Sequence, residues 1–380
     1  MSVSSTKVDK NLKFFFEDLQ KRNVVSNSAN LENFYNLNDK EKVIYLGIDC
    51  TGESLHVGHL FLIIQTIRFA NQGFKIIIVL GGATSKIGDP SDKMKERPHL
   101  ESSKLKNYLG KIEEQVSRIL IRKEERNKVV NFSPLENFYS DNPRLLNEIY
   151  KVLGISEEDN KEKKWEKYFE NIWPLKNNNS YSILNNDNWL GKVSFIDFID
   201  KLGRNVSMNY LLAKETIKQR LEKGLSYLAF NYSLLQSYDF CYLYENYGCY
   251  GQIGGSDQWG NLTTGLKILK SLNPESKGFA FTCNLLTDKE GKKYSKSEAG
   301  KKILWLNSEK NTFYDFFRNM PDEEAINFLK TFTFLSEKQI EDLETLNNPK
   351  KLRIFQRILL ELIWFLNFGE KFDINNIINA

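Results

Sequence analysis

Cysteine and histidine are both scarce in this chain of 380 residues. The 4 cysteines form no C-x-x-C pair, which argues against a disulfide framework and against a structural zinc site. The only histidines are His56, His59 and His99, too few and too unevenly placed for a site in which several histidines hold a metal. The sequence therefore predicts no protein-bound metal.

Charge of one sign and long apolar runs are also lacking. Lys and Arg number 53 and Asp and Glu 49, so the net charge of +4 neither requires nor excludes a nucleic-acid partner. No apolar run approaches the ~20 residues of a membrane span, and the longest candidate, 358–368, contains Glu361. The N-terminus has no secretory apolar core. We predict no membrane partner and a cytoplasmic location, with an organelle matrix such as the mitochondrion as the alternative.

The hydrophobic pattern predicts an α/β fold. Val43–Asp49 is typical of a strand, Gly58–Ala70 of a helix and Lys75–Leu80 of a buried, β-branched strand. A strand, a helix and a strand in this order form a βαβ unit, which favours a parallel sheet with a right-handed crossover. Residues 8–21 and 228–247 are predicted helices, and the pattern after Lys301 is helical.

The first chemical motif is GIDCTGESLHVGHL, residues 47–60. A strand ends, a small polar turn follows and a helix opens near His56, so unpaired N–H groups and positive potential are available for phosphates. His56 and His59 lie three residues apart on one helix face, and Gly58 lets a ligand approach the backbone. The alternative is that both histidines only cap the helix.

The second motif is GKKYSKSEAG, residues 291–300. Lys293 and Lys296, with Ser295 and Ser297, suit a polyphosphate clamp because lysine carries a flexible point charge. Taken alone, the segment is better explained as a basic loop in solvent. The histidine motif makes the clamp the stronger interpretation.

Polar residues also mark two segments further along the chain. Tyr232, Gln236 and Asp239 follow the spacing i, i+4 and i+7 and share one face of an otherwise apolar helix, which is either solvated or part of a site. In GGSDQWGN, two glycines precede Asp257, an acid suited to ribose hydroxyls, although Asp257 could simply cap a helix.

These motifs together resemble a known family. HVGH is similar to the HIGH signature of class I aminoacyl-tRNA synthetases, and KYSKS to their KMSKS loop. GGATSKIGDPSDK (81–93), FNYSLLQSYDF (230–240) and QIGGSDQWGN (252–261) resemble the bacterial or organellar type of tyrosyl-tRNA synthetase. The resemblance covers residues 40 to 122 and 186 to 335.

The resemblance implies a Rossmann-like, parallel-sheet catalytic domain followed by an α-helical domain. Its implied segments are a helical N-terminal segment at 1–40, the catalytic domain at 41–275 with an inserted segment at about 123–185, the KMSKS-like loop at 276–300, and a helical tRNA-side domain at 301–380. After the helices we expect no recognisable C-terminal RNA-binding domain. The insert is longer than the typical bacterial connection.

The resemblance also implies roles for individual residues. The α-amino group of tyrosine is expected to bind Asp89, Tyr232 and Gln236, its phenol Tyr45 and Asp239, and its carboxylate Gln258. The nucleotide is expected to contact, in addition to the two lysines and Ser297, the residues Gly47, Asp49, Gly255 and Asp257. Thr51, His56, His59, Lys293 and Lys296 are the expected catalytic group, acting on the phosphates. Trp189 is interpreted as a packing residue, and Leu46 replaces a ribose-binding side chain.

The implied partners are L-tyrosine, ATP accompanied by Mg²⁺, tRNA-Tyr and a second copy of the chain in a homodimer. Three alternatives stay open. A tryptophanyl-tRNA synthetase shares the fold, although Tyr45 with Asp239 argues against it. A nucleotidyltransferase with a HIGH motif would not need KYSKS. An RNA-binding scaffold derived from a synthetase would be expected to have lost its site residues.

Overall fold

The computed structural model describes residues 9–89, 100–120, 134–174, 180–221, 224–287, 294, 303–347, 353–370 and 372–373. The chain divides into two compact units. The first unit comprises Met1–Glu53, Gln65–Glu113 and Asn179–Leu285, and the second comprises Ser54–Ile64, Glu114–Asn178 and Leu286–Ala380. Among the described residues, no helix is both long enough and apolar enough to cross a membrane.

A 6-stranded sheet forms the centre of the first unit, in the order β1-β6-β5-β2-β3-β4. The strands are β1 Val25–Ala29, β2 Val43–Ile48, β3 Lys75–Leu80, β4 Tyr181–Asn185, β5 Gly251–Gly255 and β6 Phe279–Cys283. All pairings are parallel except that of β1 with β6. The predicted α/β class is confirmed, and the sheet is mixed because of its antiparallel edge strand.

The described helices are distributed over the two units, and two of them, Val57–Asn71 and Ser102–Ile119, contain a boundary between the units. In chain order they are α1 Lys10–Lys21, α2 Leu31–Tyr35, α3 Val57–Asn71, α4 Ser102–Ile119, α5 Glu136–Tyr139, α6 Pro143–Val152, α7 Lys161–Ile172, α8 Asp187–Leu190, α9 Phe195–Gly203, α10 Met208–Leu212, α11 Glu215–Leu221, α12 Tyr227–Tyr247, α13 Trp259–Leu272, α14 Lys310–Arg318, α15 Asp322–Phe332, α16 Glu337–Leu346 and α17 Ile354–Phe368. Helices α5–α7 and α14–α17 belong to the second unit.

Helices cover both faces of the sheet, which is why its central strands are apolar on both sides. On one face, Tyr45 and Val79 join a core with α12 and α13. On the other, Phe279 and Phe281 meet the ring of Phe34, at centroid distances of 5.3 and 5.0 Å. Ala280, between these two phenylalanines on β6, belongs to the first core, so alternate residues of this strand contribute to opposite cores.

The order of the strands determines where a ligand can bind. From β2 the chain crosses to β3 on one side, and it later returns to β5 on the other side. In an open α/β sheet, the crevice at the carboxyl ends of the strands flanking such a reversal is the usual ligand site. Asp49 follows β2, and Asp257 lies just after β5, so both acids stand at this edge.

The inserted segment belongs to the core of the second unit. The ring of Trp165 lies 5.1 Å from that of Phe365 between centroids, and the backbone N–H of Leu135 donates to both oxygens of Glu361 at 2.9 and 3.0 Å. The phenol of Tyr168 donates to the carbonyl of Ile358 at 3.3 Å. Helix α7 of the insert therefore packs directly on α17.

Two features of the predicted segment boundaries differ from the structure. The segment 1–40, predicted to be helical, contains β1, and the segment 276–300, predicted to be a loop, contains β6. The two strands pair with each other, so β1, an edge strand, depends on a partner more than 200 residues away in sequence. Residues 134–174 of the predicted insert group with the C-terminal helices, whereas residues 181–185, which the prediction also assigned to the insert, form β4 of the catalytic sheet.

Candidate active site

Helix α12 brings the predicted polar face to the sheet. Its N-cap is Ser226, whose side chain accepts from the N–H of Ala229, and it ends at Gly248, which has φ of +61°. Tyr232 and Asp239 are buried and Gln236 is half-buried along the face that the spacing predicts. Because this face is polar and faces inward, the site interpretation is favoured over a solvated stripe.

Asp239 is the most enclosed acid of the first unit, with 4% of its surface exposed. One carboxylate oxygen accepts from the indole Nε1–H of Trp189 at 2.7 Å, and the other accepts from Asn186 Nδ2 at 3.0 Å. Burial raises the pKa of Asp239 to about 7, although these two hydrogen bonds favour the charged form. Trp189 was interpreted as a packing residue, and the hydrogen bond gives it a polar role as well.

Tyr45 lies at the centre of β2, only 2% exposed, and its phenol donates to Gln252 Oε1 at 3.1 Å. Burial raises the pKa of Tyr45 well above its ordinary value, the charge of Asp239 raises it further, and a hydrogen bond from the Gln236 side chain opposes the rise. The Tyr45 side chain therefore stays a neutral phenol, close to Gln236 and Asp239 of α12.

A cluster of acids gathers after β2. Tyr232 donates its phenolic proton to Asp49 Oδ2 at 3.0 Å, and Thr84 Oγ1 donates to Asp49 Oδ1 at 2.9 Å. The backbone N–H of Asp89 also donates to Asp49 Oδ2, at 3.3 Å. Gly81 is required here, because a Cβ at this position would lie 2.4 Å from Asp49 Oδ1.

Gln258 joins this cluster to the acid after β5. Its amide Nε2 donates to Asp89 Oδ2 at 2.5 Å and to Asp257 Oδ2 at 3.0 Å. Asn261 in turn donates to Gln258 Oε1 at 3.0 Å, which fixes the orientation of the amide. Gly255 lies close to Asp257, since a Cβ there would be 2.4 Å from Asp257 Oδ1. The side chains of Asp49, Asp89, Asp257, Tyr232 and Gln258 thus form one network.

The remaining predicted residues of β2 and its turn have different surroundings. Gly47 is exposed, so its backbone is open to a ligand, and Thr51 is half-buried just after the strand. Leu46 is 1% exposed and pairs in register with Ile78 and Ile253 on the neighbouring strands. It is a packing residue of the sheet core.

The HVGH motif lies in the second unit at the start of α3. His59 Nδ1 accepts from the backbone N–H of His56 at 3.2 Å, and His56 Nδ1 accepts from that of Gly58 at 3.0 Å. A ring nitrogen that accepts leaves the proton of the neutral imidazole on Nε2. Each histidine therefore presents an Nε2–H donor. The backbone around His56 is held by Val57 N–H, which donates to the carbonyl of Leu304 at 2.9 Å.

Lys293, Lys296 and Ser297 lie outside the described residues. Within the described part of the chain, no group of three His, Cys, Asp or Glu side chains is arranged to hold a metal ion. Sequence reasoning missed Asn186, Thr84 and Gln252, which form hydrogen bonds with the predicted residues Asp239, Asp49 and Tyr45. Asn186 is hidden in the polar stretch before Trp189, and Gln252 in a short glycine-rich strand.

Known proteins show the same combination of sequence and fold. A family model described as tRNA synthetases class I (W and Y) matches residues 37–366. The chain is 34% identical over 363 residues to Tyrosine--tRNA ligase 1 of Bacillus licheniformis, covering 94% of this chain and 73% of the relative. It is 34% identical over 359 residues to Tyrosine--tRNA ligase of Geobacillus stearothermophilus, covering 93% and 73%.

A solved structure has the same fold over nearly its whole length. The C-terminally truncated mitochondrial tyrosyl-tRNA synthetase of Aspergillus nidulans has a TM-score of 0.72 and 24% identity, covering 96% of this chain and 93% of that one. Because the family model matches most of the chain and curated relatives match it at 34% identity, the chain belongs to the class I tRNA synthetases of the tryptophan and tyrosine family.

Proposed function

We propose that this chain is a tyrosine--tRNA ligase, which activates L-tyrosine with ATP and transfers it to the 3′ end of tRNA-Tyr. The observation that carries the proposal is the buried carboxylate of Asp239 close to the phenol of Tyr45. The Tyr45 hydroxyl and the Asp239 carboxylate lie among buried apolar side chains, and such a polar pair fits the hydroxyl of a tyrosine side chain. Phenylalanine has no hydroxyl to form a hydrogen bond with this polar pair, and that missing bond disfavours it relative to tyrosine.

The other end of the substrate is matched by charge. The carboxylates of Asp49 and Asp89 lie within one hydrogen-bonded network. Carboxylates that share a site repel one another, and an ammonium group relieves the repulsion. The α-amino group of tyrosine, held by Asp89, Tyr232 and Gln236, supplies that charge, and Gln258 is the proposed partner of the carboxylate.

The proposed reaction has two steps. The tyrosine carboxylate attacks the α-phosphate of ATP in line, and a P–O bond breaks to release pyrophosphate. The ribose hydroxyl at the 3′ end of the tRNA then attacks the carbonyl of tyrosyl-adenylate, and AMP leaves. The protein positions the reactants and stabilises developing charge. His56 and His59 would donate their Nε2–H groups to phosphate oxygens, and Thr51, Lys293, Lys296 and Ser297 would act on the same charge.

The nucleotide has proposed contacts in the first unit. The open backbone at Gly47 lets the adenylate approach β2, with Asp49 at the end of the strand. Gly255 permits a similar approach at β5, and Asp257 offers a carboxylate to the ribose hydroxyls. Mg²⁺ would arrive bound to the phosphates of ATP, since Mg²⁺ in such enzymes keeps most of its ligands from phosphate and water.

A homodimer is proposed from the surface of the first unit. Most of the exposed large apolar side chains among the described residues lie between residues 195 and 228: Phe195, Ile196, Ile199, Met208, Leu221, Tyr227 and Leu228. A cluster of this kind usually marks an interface rather than a solvated surface. A second copy of the chain is the proposed partner of this surface. Analytical ultracentrifugation tests it by comparing the sedimentation of wild type, expected to be a dimer, with that of Ile196→Glu, expected to be a monomer. A wild-type monomer would contradict the proposal.

The compartment and the roles of the segments are also proposals. The cytoplasm is the proposed compartment, with an organelle matrix as the alternative that fractionation of the host cell would decide. Residues 301–380 are the proposed tRNA-side domain, and the segment 276–300 carries the phosphate-binding loop.

The deciding experiment is ATP–pyrophosphate exchange with tyrosine, tryptophan and phenylalanine as separate substrates, followed by aminoacylation of tRNA-Tyr. We expect exchange that depends on tyrosine, and loss of the preference for tyrosine over phenylalanine in Asp239→Ala. Exchange with tryptophan alone would instead identify the tryptophan branch. No exchange with any amino acid, combined with tRNA binding, would identify an RNA-binding scaffold.

A further inference from the structure

Tyr294 lies between the two lysines of the KYSKS motif and is fixed by contacts in the second unit. Its backbone N–H donates to the carbonyl of Leu286 at 2.8 Å. Its ring meets the edges of Phe316 and Phe328, at centroid distances of 5.9 and 5.7 Å. Its hydroxyl donates to the carboxylate of Glu324, which is 8% exposed. Burial and this hydrogen bond raise the pKa of Tyr294, so the hydroxyl keeps its proton.

The same residue is close to the start of the histidine motif. A Cβ at Gly58 would lie 3.8 Å from the backbone carbonyl oxygen of Tyr294. Gly58 stands between His56 and His59, so the backbone at residue 294 runs beside the first turn of α3. In sequence, Lys293 directly precedes Tyr294 and Lys296 follows two residues after it, so Tyr294 is the described residue of the KYSKS motif.

We infer that Tyr294 and Glu324 are positioning residues, which hold the backbone that carries Lys293 and Lys296 beside the HVGH turn during adenylate formation. The inference rests on the proposed function. The hydrogen bond to a carboxylate is stronger than one between neutral groups, and its acceptor sits on a regular helix, α15. Packing against Phe316 and Phe328 holds the Tyr294 ring, and the hydrogen bond of its hydroxyl sets how far the ring extends between them.

The test uses four variants of the full-length chain. Tyr294→Phe keeps the ring and removes the hydroxyl, and Glu324→Gln keeps an acceptor oxygen and removes the charge. The double variant combines both changes. Tyr314→Phe is the matched control, because Tyr314 belongs to the same unit and its ring stacks on Phe372 at 5.8 Å. Exchange rates are expressed per active site titrated, and tyrosine Kd is measured by equilibrium dialysis.

We expect Tyr294→Phe to lower kcat roughly tenfold, which corresponds to the free energy of a hydrogen bond to a charged group. The Kd for tyrosine should stay within about twofold of the wild-type value. Glu324→Gln should lose about threefold because its amide oxygen still accepts. The double variant should match Tyr294→Phe, and Tyr314→Phe should match wild type. A purely structural role would reduce the titrated sites and leave kcat per site unchanged.

Three results would overturn the inference while the proposed function stands. They are an unchanged kcat in Tyr294→Phe, losses that multiply in the double variant, and a loss confined to the number of active sites. A wild-type chain without tyrosine-dependent exchange is a separate result, which overturns the proposed function and this inference with it.

Discussion

Tyr45 and Gln252 are directly opposite each other on the neighbouring parallel strands β2 and β5, and the tyrosine hydroxyl donates to the glutamine Oε1 at 3.1 Å. The amide cannot turn freely, because its Nε2 donates to the carbonyl of Leu262 at 3.2 Å. Gly265 leaves room for this amide, since a Cβ there would lie 3.2 Å from Oε1. The register of two strands thus fixes the direction of one proton in the substrate pocket.

The first prediction concerns the stability of this pair. Gln252→Met removes the acceptor and leaves a buried hydroxyl without it, so the free energy of unfolding should fall by about 1–3 kcal/mol. Adding Tyr45→Phe removes the stranded hydroxyl, and the double variant should recover part of that loss. Urea denaturation of the substrate-free protein measures both changes.

The control for this cycle is Thr282→Val on β6, a fully buried site whose hydroxyl donates to Asn27 instead of contacting Tyr45. Its effect should add to that of Tyr45→Phe without coupling. If the effects of Gln252→Met and Tyr45→Phe on the free energy of unfolding are also additive, the hydrogen bond between Tyr45 and Gln252 contributes nothing to stability.

The second prediction follows from Asp239, whose pKa burial raises from 3.8 to about 7. Between these two values the folded chain holds a proton that the unfolded chain has released. The free energy of unfolding therefore falls as pH rises through this window, by at most about 1.36 kcal/mol per pH unit. Asp239→Asn does not titrate.

We expect the stability of wild type relative to Asp239→Asn to drop by about 1–2 kcal/mol when pH rises from 5.5 to 7, and to level off above that. Denaturation midpoints of both proteins across this range provide the comparison. Because other groups titrate equally in both, only the difference is informative, and a flat difference would mean that Asp239 stays ionised when folded.

The third prediction separates charge from hydrogen bonding at Glu361. This residue is 1% exposed, and burial raises its pKa from 4.5 to about 8. Near neutral pH, folding therefore has to protonate a carboxylate, a cost that Glu361→Gln avoids while its amide oxygen still accepts from Leu135. Glu361→Gln should be at least as stable as wild type.

Glu361→Leu is the contrasting variant, since it leaves the Leu135 N–H without an acceptor. We expect a loss of about 1–3 kcal/mol in the free energy of unfolding of the second unit, followed by the fluorescence of its tryptophans. Equal losses in the two variants would show that the charge of Glu361, rather than its acceptor oxygens, stabilises the insert.

The fourth prediction concerns Lys293→Ala and Lys296→Ala. Charge on the leaving pyrophosphate develops mainly in the transition state, so kcat for exchange should fall by roughly 10²-fold while tyrosine binding changes little. Lys338→Ala, an exposed position on α16, is the control. Parallel losses in kcat and in tyrosine affinity would contradict the clamp role.

Sequence predicts those parts of the fold whose signal is local. Strand β3 was predicted at its observed bounds, because a run of buried β-branched residues has few other interpretations, and α12 was predicted to within one residue. The spacing of Tyr232, Gln236 and Asp239 likewise placed them on one face, as the structure has them.

The parts that sequence missed depend on distant partners. Strand β1, VSNSA, carries no alternation of its own and exists through its pairing with β6. The donors to Asp239 come from residues 50 and 53 positions away, and nothing in the sequence near Trp189 indicates that its indole reaches a carboxylate. Helix α7 of the insert packs on α17, and no local pattern could show that partner.

The contact between Leu135 and Glu361 spans 226 residues of sequence. At ~5–20 residues added per second, the ribosome adds Leu135 roughly 11–45 s before it adds Glu361. During that interval Trp165 and Phe169 have no Phe365 to cover them. The second unit is thus the last part of the chain able to finish folding, and its newly made apolar helices are where a chaperone would be needed during synthesis.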